Sequence, residues 1–176
     1  MKYAKKSLGQ NFLVDKNVIK KIINLVEIKN KDVIEIGPGK ASLTEEIIKN
    51  NPRSLSLIEK DNNLAEKLSL RFFKHKNIRV FNQDFLEFDI QNLNKKKLII
   101  FGNLPYNISS QIFVKILKLE KWPPYYTDLI LMFQKELAQK ITGKFMSKNY
   151  GRISVLTSYR LKLINKFFVS NNCFVP

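Results

Sequence analysis

The sequence predicts an α/β domain, a Rossmann-like parallel sheet with helices on both faces. Short runs rich in Ile, Leu and Val alternate with stretches whose apolar residues recur at helical spacing. A glycine turn, Gly37-Pro38-Gly39, joins the first run to a helical stretch. Pro105 closes the fourth run, because a proline cannot donate to a sheet ladder. With 176 residues, 44% of them hydrophobic, the chain is long enough for one domain with its own core.

Each element follows in chain order. Lys16–Val26 opens as a helix with Asp15 as its N-cap. Asp32–Ile36 is the first strand, and Ser42–Lys49 the helix after the glycine turn. Leu55–Glu59 is the second strand, followed by a helix over Asn63–Phe73. Ile78–Asn82 and Leu98–Phe101 are the third and fourth strands, and Ser110–Leu119 is helical. Asp128–Phe133 is the fifth strand. Lys135–Thr142 and, past the Gly151 break, Ile153–Leu161 close the helical set. Asn165–Val169 reads as a sixth strand. The last residues, Cys173-Phe174-Val175-Pro176, carry no helix, cap or polar tail and read as a chain cut short.

Composition narrows the function classes. No apolar run approaches the ~18–20 residues of a membrane span, and MKYAKKSLGQNF lacks the apolar stretch of a secretory signal. Cys173 is the only cysteine, so no internal disulfide forms and a reducing cytoplasm is expected. His75 is the only histidine, and it reads as a solvated loop residue with no metal site. The net charge of +16 points to a polyanionic partner, although 26 Lys against 5 Arg also reflects a general lysine bias. The distribution says more than the total. Beyond residue 89 the only acids are Glu120, Asp128 and Glu136, so the second half is distinctly positive. Nucleic-acid binding and a merely solvated lysine surface both fit that charge.

Four chemically useful groups fall at the carboxyl ends of successive strands, where open α/β sheets bind ligands. Gly37 and Gly39 expose backbone beside a helix N-terminus. The dinucleotide pattern is not completed, since its third glycine position holds Ser42. Glu59 ends the second strand 22 residues after Gly37, the place of an acid that accepts from ribose hydroxyls. Asp84, past the third strand, can accept from an adenine amino group, with Phe85 beside the ring. Singly, each acid also reads as an N-cap or a solvated strand end. Together with Asn103 they suit a nucleoside ligand without a pyrophosphate, and S-adenosyl-L-methionine fits better than NAD. The phosphate-loop pattern G-x-x-x-x-G-K-[ST] is absent, which disfavours an NTPase.

The fourth strand runs into Asn103-Leu104-Pro105-Tyr106. An adenine amino group is a poor nucleophile because its lone pair is delocalised into the ring. Two acceptors aimed at its hydrogens, the Asn103 side-chain oxygen and a carbonyl near Leu104, localise that pair and stabilise developing positive charge. Tyr106 can stack on the base, and Pro105 stiffens the corner. Such a pocket requires an unstacked target base. The plainer reading is a strand-ending turn with a packed tyrosine.

Beyond single motifs, the chain resembles the ribosomal RNA adenine N6-dimethyltransferases, which dimethylate two adjacent adenines near the 3′ end of small-subunit (16S) rRNA. The resemblance runs through Ser7–Leu13 (SLGQNFL), Glu35–Gly39 (EIGPG), Glu59, Gln83-Asp84, Phe101–Ser109 (FGNLPYNIS), Gln134-Lys135-Glu136 and Tyr150-Gly151-Arg152. It implies S-adenosyl-L-methionine as cofactor. Asn11 and Leu13 would line its methionine end, Gly37 would lie under it, Glu59 would take the ribose and Asp84 the adenine. Gln10, Gly39, Lys60 and Phe85 would complete that pocket. Asn103, Leu104, Pro105 and Tyr106 would form the methyl-transfer centre, with Phe174, from a Phe-x-Pro segment, helping hold the target base. Ala41 stands where family members carry a third glycine. The implied partner is ribosomal RNA in the immature small subunit, met by a cytoplasmic monomer away from any membrane.

Members of that family continue into a final strand and a small helical RNA-binding domain. The resemblance therefore implies that residues 1–176 are a catalytic domain truncated before its last strand, leaving Asn165–Val169 without a pairing neighbour. Two competing readings remain: a large-subunit adenine N6-methyltransferase of the macrolide-resistance type, and a non-catalytic ribosome-assembly factor.

Overall fold

A computed structural model describes residues 11–93, 95, 97–118 and 124–175. The Asp15 carboxylate accepts from the N–H groups of Asn17 and Val18 at 2.8 and 2.9 Å, which starts α1 (Lys16–Ile23). Five strands then form one parallel sheet: β2 (Asp32–Ile36), β3 (Ser54–Glu59), β4 (Ile78–Asn82), β5 (Leu98–Asn103) and β6 (Tyr126–Met132). Their order is β4-β3-β2-β5-β6. The chain builds outward from β2 to β4, then returns to lay β5 on the other side of β2. The crevice outside that reversal is where sheets of this type hold ligands.

Side-chain alternation divides the core between the two faces. Val33, Leu55, Leu57, Ile99 and Phe101 pack with apolar residues of α1, α2 (Ser42–Lys49) and α3 (Asn62–Phe72). Ile34, Ile36, Ile58, Leu98 and Ile100 pack instead with Ile112 and Ile116 of α4 (Ser109–Leu117) and with Phe85 and Phe88. Burial of each such side chain stabilises the fold by about 1.5–3 kcal/mol, so both faces need cover. On the second face, α5 (Lys135–Ile141) and α6 (Arg152–Arg160) add a small cluster around Phe113 and Leu117. At the opposite end of the sheet from the crevice, Asp32 is buried yet ionised. Its carboxyl is held down to about 2, first by the Arg53 guanidinium and then by the Ser54 hydroxyl, with Lys95 assisting.

β2, β4 and α2 occupy the residues their sequence pattern predicts. β5 runs two residues beyond Phe101, because Gly102 and Asn103 keep pairing with Leu131 and Met132 before Pro105 ends the ladder. β6 is displaced toward the N-terminus, from Tyr126 to Met132, and α1 ends three residues before Val26. The predicted end of α4, Leu119, lies outside the described residues.

The expected strand over Asn165–Val169 is not formed. The segment carries no ladder among the described residues. Phe167 and Val169 pack against the core while Phe168 stays exposed, so burial alternates over these three residues without strand pairing. The chain makes a different pairing: β7 (Phe174–Val175) lies antiparallel to β1 (Phe12–Leu13), Leu13 opposite Phe174, and the Val14 N–H donates to the Cys173 carbonyl at 2.8 Å.

Gly102 shows how tightly the crevice end of β5 is built. A Cβ there would stand 2.7 Å from Leu104 Cδ2 and 3.2 Å from Leu131 Cδ2. Gly102→Ala is expected to destabilise the protein by about 1–3 kcal/mol through overpacking. Urea denaturation checks this, and an unchanged midpoint would show that Leu104 has room to move.

Candidate active site

Parallel register sets the site. Ile36 pairs with Ile58 on one side and Gly102 on the other, and Glu59 pairs with Asn82. The next residues, Gly37, Glu59, Gln83-Asp84 and Asn103, therefore emerge at one level. The Gly37 N–H donates to the Ile58 carbonyl (2.9 Å) and the Gln83 N–H to the Glu59 carbonyl (3.0 Å), carrying the ladder to the lip. These residues, with Asn11, Phe12 and Leu13, line one cleft. The cleft is open to solvent along one side, so a ligand can enter it directly.

The glycine turn forms the floor. Gly37 and Gly39 have φ of +67° and +57°, a region that β-carbon-bearing residues rarely adopt. A Cβ on Gly39 would also lie 2.9 Å from the Phe12 ring. The Gly39 N–H donates to Glu59 Oε2 (3.1 Å), and the Asp61 N–H donates to Oε1 (2.9 Å). Burial pushes the Glu59 carboxyl up while these N–H groups pull it back. Each oxygen keeps a further lone pair for a ligand. Ala41, in place of a third glycine, takes φ of +71° with its methyl buried. The left-handed backbone costs about 1–2 kcal/mol and methyl burial offsets about 0.8, so alanine is held here at a mild net cost.

Glu35, not foreseen as a site residue, borders the same cleft. It is 1% exposed, and the Thr44 hydroxyl donates to it at 2.7 Å. Burial pushes its carboxyl up to about 8, with Glu59 adding to the rise. The available signal was an acid flanked on both sides by isoleucine in mid-strand.

Asp84 stands two residues beyond the end of β4, in a turn. Its Oδ1 accepts from the Leu86 N–H (2.9 Å) and its Oδ2 from Lys60 Nζ (2.6 Å). Burial raises the Asp84 carboxyl, but the Lys60 ammonium and the Leu86 N–H outweigh it and hold it below the usual range. Phe85 is buried and still forms cleft wall. The second lysine at the lip, Lys40, lies 4.1 Å over the Phe12 ring.

The opposite wall is Asn103-Leu104-Pro105-Tyr106. Asn103 Nδ2 donates to the Asn11 carbonyl at 2.7 Å. Only the amide nitrogen can donate to a carbonyl, so this bond turns Oδ1 away from Asn11 as an acceptor with no hydrogen-bond partner among the described residues. The sequence-predicted residues Asn11, Leu13, Gly37, Gly39, Glu59, Lys60, Asp84, Phe85 and Asn103–Tyr106 thus meet in one cleft. Phe174 does not join them: it pairs with Leu13 and packs against the core behind β1. Gln10 lies outside the described residues. Among the described residues no cluster of metal-ligating side chains occurs, and no helix is long and apolar enough to cross a membrane.

The family model for ribosomal RNA adenine dimethylase matches residues 1–176. The chain belongs to the ribosomal RNA adenine dimethylase family. Members of this family include the ribosomal RNA small subunit methyltransferase A of Pelagibacter ubique, which is 42% identical over 98% of this chain and 65% of its own length. The chain spans 62–66% of the length of that protein and of two similarly named relatives. Among solved structures, a dimethyladenosine transferase from Plasmodium falciparum superposes with a TM-score of 0.72 at 26% identity, covering 84% of this chain and 52% of that one. The 23S rRNA methyltransferase ErmE gives a TM-score of 0.65 at 32% identity, covering 83% and 55%. The parallel sheet with helices on both faces that strand–helix alternation predicts is the one observed, and these neighbours show it to be of the methyltransferase type that the resemblance implies.

The raised Glu35 pKa has a sign that can be measured. Its neutral form is favoured by folding, so its contribution is fully present below the ordinary value of 4.5 and lost as pH rises through about 8. Glu35→Gln, which keeps an acceptor for Thr44, is expected to remove at least ~1 kcal/mol of the wild-type stability loss between pH 6 and 9. Urea midpoints at both pH values check this, and parallel losses in the two proteins would contradict it.

Proposed function

We propose that the protein is an S-adenosyl-L-methionine-dependent enzyme that dimethylates the N6 amino groups of two adjacent adenines near the 3′ end of small-subunit rRNA. It would act as a cytoplasmic monomer on the immature small subunit. Residues 1–176 serve as its catalytic domain, with a helical RNA-binding domain following in the full protein. The observation that carries the reading is the cleft that gathers Asn103-Leu104-Pro105-Tyr106 with Glu59 and Asp84, Gly37 lying between them in the strand order. Relatives at about 40% identity carry the small-subunit name. The 32% identity to ErmE favours a large-subunit adenine as the second reading.

The residues present fit the cofactor. Gly37 and Gly39 bare their backbone to the cleft in a left-handed turn that disfavours a Cβ, Glu59 retains acceptor capacity for a ribose diol, and Asp84 is an ionised acceptor beside a flat ring. The cofactor supplies an electrophilic methyl group on sulfur. Asn103 Oδ1 and the Leu104 carbonyl accept the target amino hydrogens and localise its lone pair. As the nitrogen becomes positive, those same oxygens stabilise it without reorganising. Tyr106 stacks on the base, which contributes ~1–3 kcal/mol. Pro105 contributes no N–H to compete for the acceptors and restricts the corner. The amino proton leaves to solvent after transfer, so no general base is needed beforehand.

Charge supports the polyanionic partner. No acid follows Glu136 in the sequence, and Lys144, Lys148 and Arg152 lie close in sequence to the exposed Phe145 and Tyr150, whose rings meet edge to face at 5.6 Å. Cations beside exposed aromatics suit phosphates with unstacked bases.

Radiolabelled methyl transfer to undermodified small and large ribosomal particles tests the reading. The expected product is N6,N6-dimethyladenosine in the small particle alone, and label confined to the large particle would move the assignment to the second reading. Asn103→Ala is expected to lower methyl transfer ~10²–10³-fold while weakening cofactor binding less than about tenfold, because the amide oxygen acts in the transition state. Glu59→Ala is expected to reverse that split, raising the cofactor Kd more than about tenfold. Stopped kinetics and equilibrium titration measure both, and near-normal turnover in Asn103→Ala would remove the amide from the mechanism.

A further inference from the structure

Lys115 is half-buried on α4, one turn beyond Ile112, which lines the cleft. Its Nζ donates to three backbone carbonyls of the neighbouring loop: Phe85 at 2.9 Å, Leu86 at 2.7 Å and Phe88 at 2.8 Å. An ammonium has three N–H groups, so this set uses all of its donors. The same Nζ lies 5.6 Å from the centre of the Phe85 ring.

The loop is a tight turn closed from its other end by Asp84. The Glu87 and Phe88 N–H groups both donate to the Asp84 carbonyl (3.0 Å each), and the Leu86 N–H donates to its carboxylate. The Phe88 N–H also reaches the Phe85 carbonyl at 3.3 Å, and the Leu86 and Phe88 carbonyls are left to the lysine, as at a helix C-terminus. Lys115 fills that place. Burial pulls its ammonium below the ordinary lysine value, while Asp89, Asp84 and Glu87 around it favour the charged form. The turn sits at the edge of the sheet with Glu87 and Asp89 exposed, so water can reach open carbonyls if the lysine is removed. The cost of losing the lysine then falls first on where Asp84 and Phe85 point.

We propose that Lys115 is a positioning residue that clamps the Asp84–Phe88 turn onto α4, fixing the adenine-binding wall of the cleft relative to the Asn103–Tyr106 wall. The role rests on the adenosyl reading of the cleft. It joins the two walls through one side chain: the helix that follows the methyl-transfer corner also sets the surface that receives the cofactor's base.

The test uses Lys115→Met, which keeps the apolar stem and removes every donor, and Lys115→Arg, whose planar fork can meet two of the three carbonyls. Titration with S-adenosylhomocysteine, methyl transfer at varied S-adenosyl-L-methionine, and thermal unfolding are the readouts. Lys115→Met is expected to raise Kd and the cofactor KM together by about tenfold, with kcat at saturation within about twofold, and Lys115→Arg to recover to about threefold. If Lys115→Met does not fold, Lys115→Arg decides by the same Kd. Wild-type uptake with Kd unchanged in the folded variants, or a loss confined to Tm or kcat, overturns the proposal alone. A wild-type protein that takes up no cofactor overturns the reading of the cleft and this proposal with it.

Discussion

The register of one parallel sheet is the constraint on which the site depends. Ile36, Ile58 and Gly102 are ladder neighbours, so the residues that follow them cannot avoid meeting. A shift of one residue in β3 would send Glu59 to the other face of the sheet and leave the Gly39 N–H without its acceptor. The register is in turn enforced by burial on both faces, because Leu57 and Ile58, or Ile100 and Phe101, must enter different hydrophobic clusters. Core packing and site geometry are thus one problem with one solution.

Upon that frame the polar groups of the cleft are tied to one another before any ligand arrives. Glu59 holds the glycine turn, Lys60 holds Asp84, and Asn103 holds the first described residue, Asn11. Phe12, next to Asn11, packs its ring against Gly39 and under Lys40 while β1 pairs with β7. The N-terminal and C-terminal ends of the described chain therefore meet beside the glycine turn. Each bond also orients what it leaves free: by spending its nitrogen on a carbonyl, Asn103 presents oxygen. Preorganised acceptors of this kind act at the moment charge develops, without waiting for solvent to rearrange.

Much of this was legible in residue order, for local reasons. Asp15 capped its helix, Gly37-Pro38-Gly39 made its turn, and Pro105 ended its strand, each because of backbone chemistry confined to a few residues. The acids after β3 and β4 were legible because parallel topology places strand ends together. What escaped was set by distant parts of the chain. β1 and β7 are two residues each and lie more than 150 residues apart, so neither has a period to read. Asn165–Val169 has the short apolar, β-prone composition of a strand and no ladder, since composition says nothing of a partner edge. Lys115 looks in sequence like one more solvated lysine on a helix. Only the fold brings three carbonyls to it.

The most direct test of the central claim, that these strand ends form an adenosyl site facing the Asn103 corner, is a crystal structure with S-adenosylhomocysteine. The expected density places both ribose hydroxyls within about 3 Å of the Glu59 carboxylate, the adenine against Phe85 with its amino group at Asp84, and the sulfur toward Asn103. Density for the ligand outside this cleft, or with the adenine away from the Asp84–Phe85 turn, would contradict it.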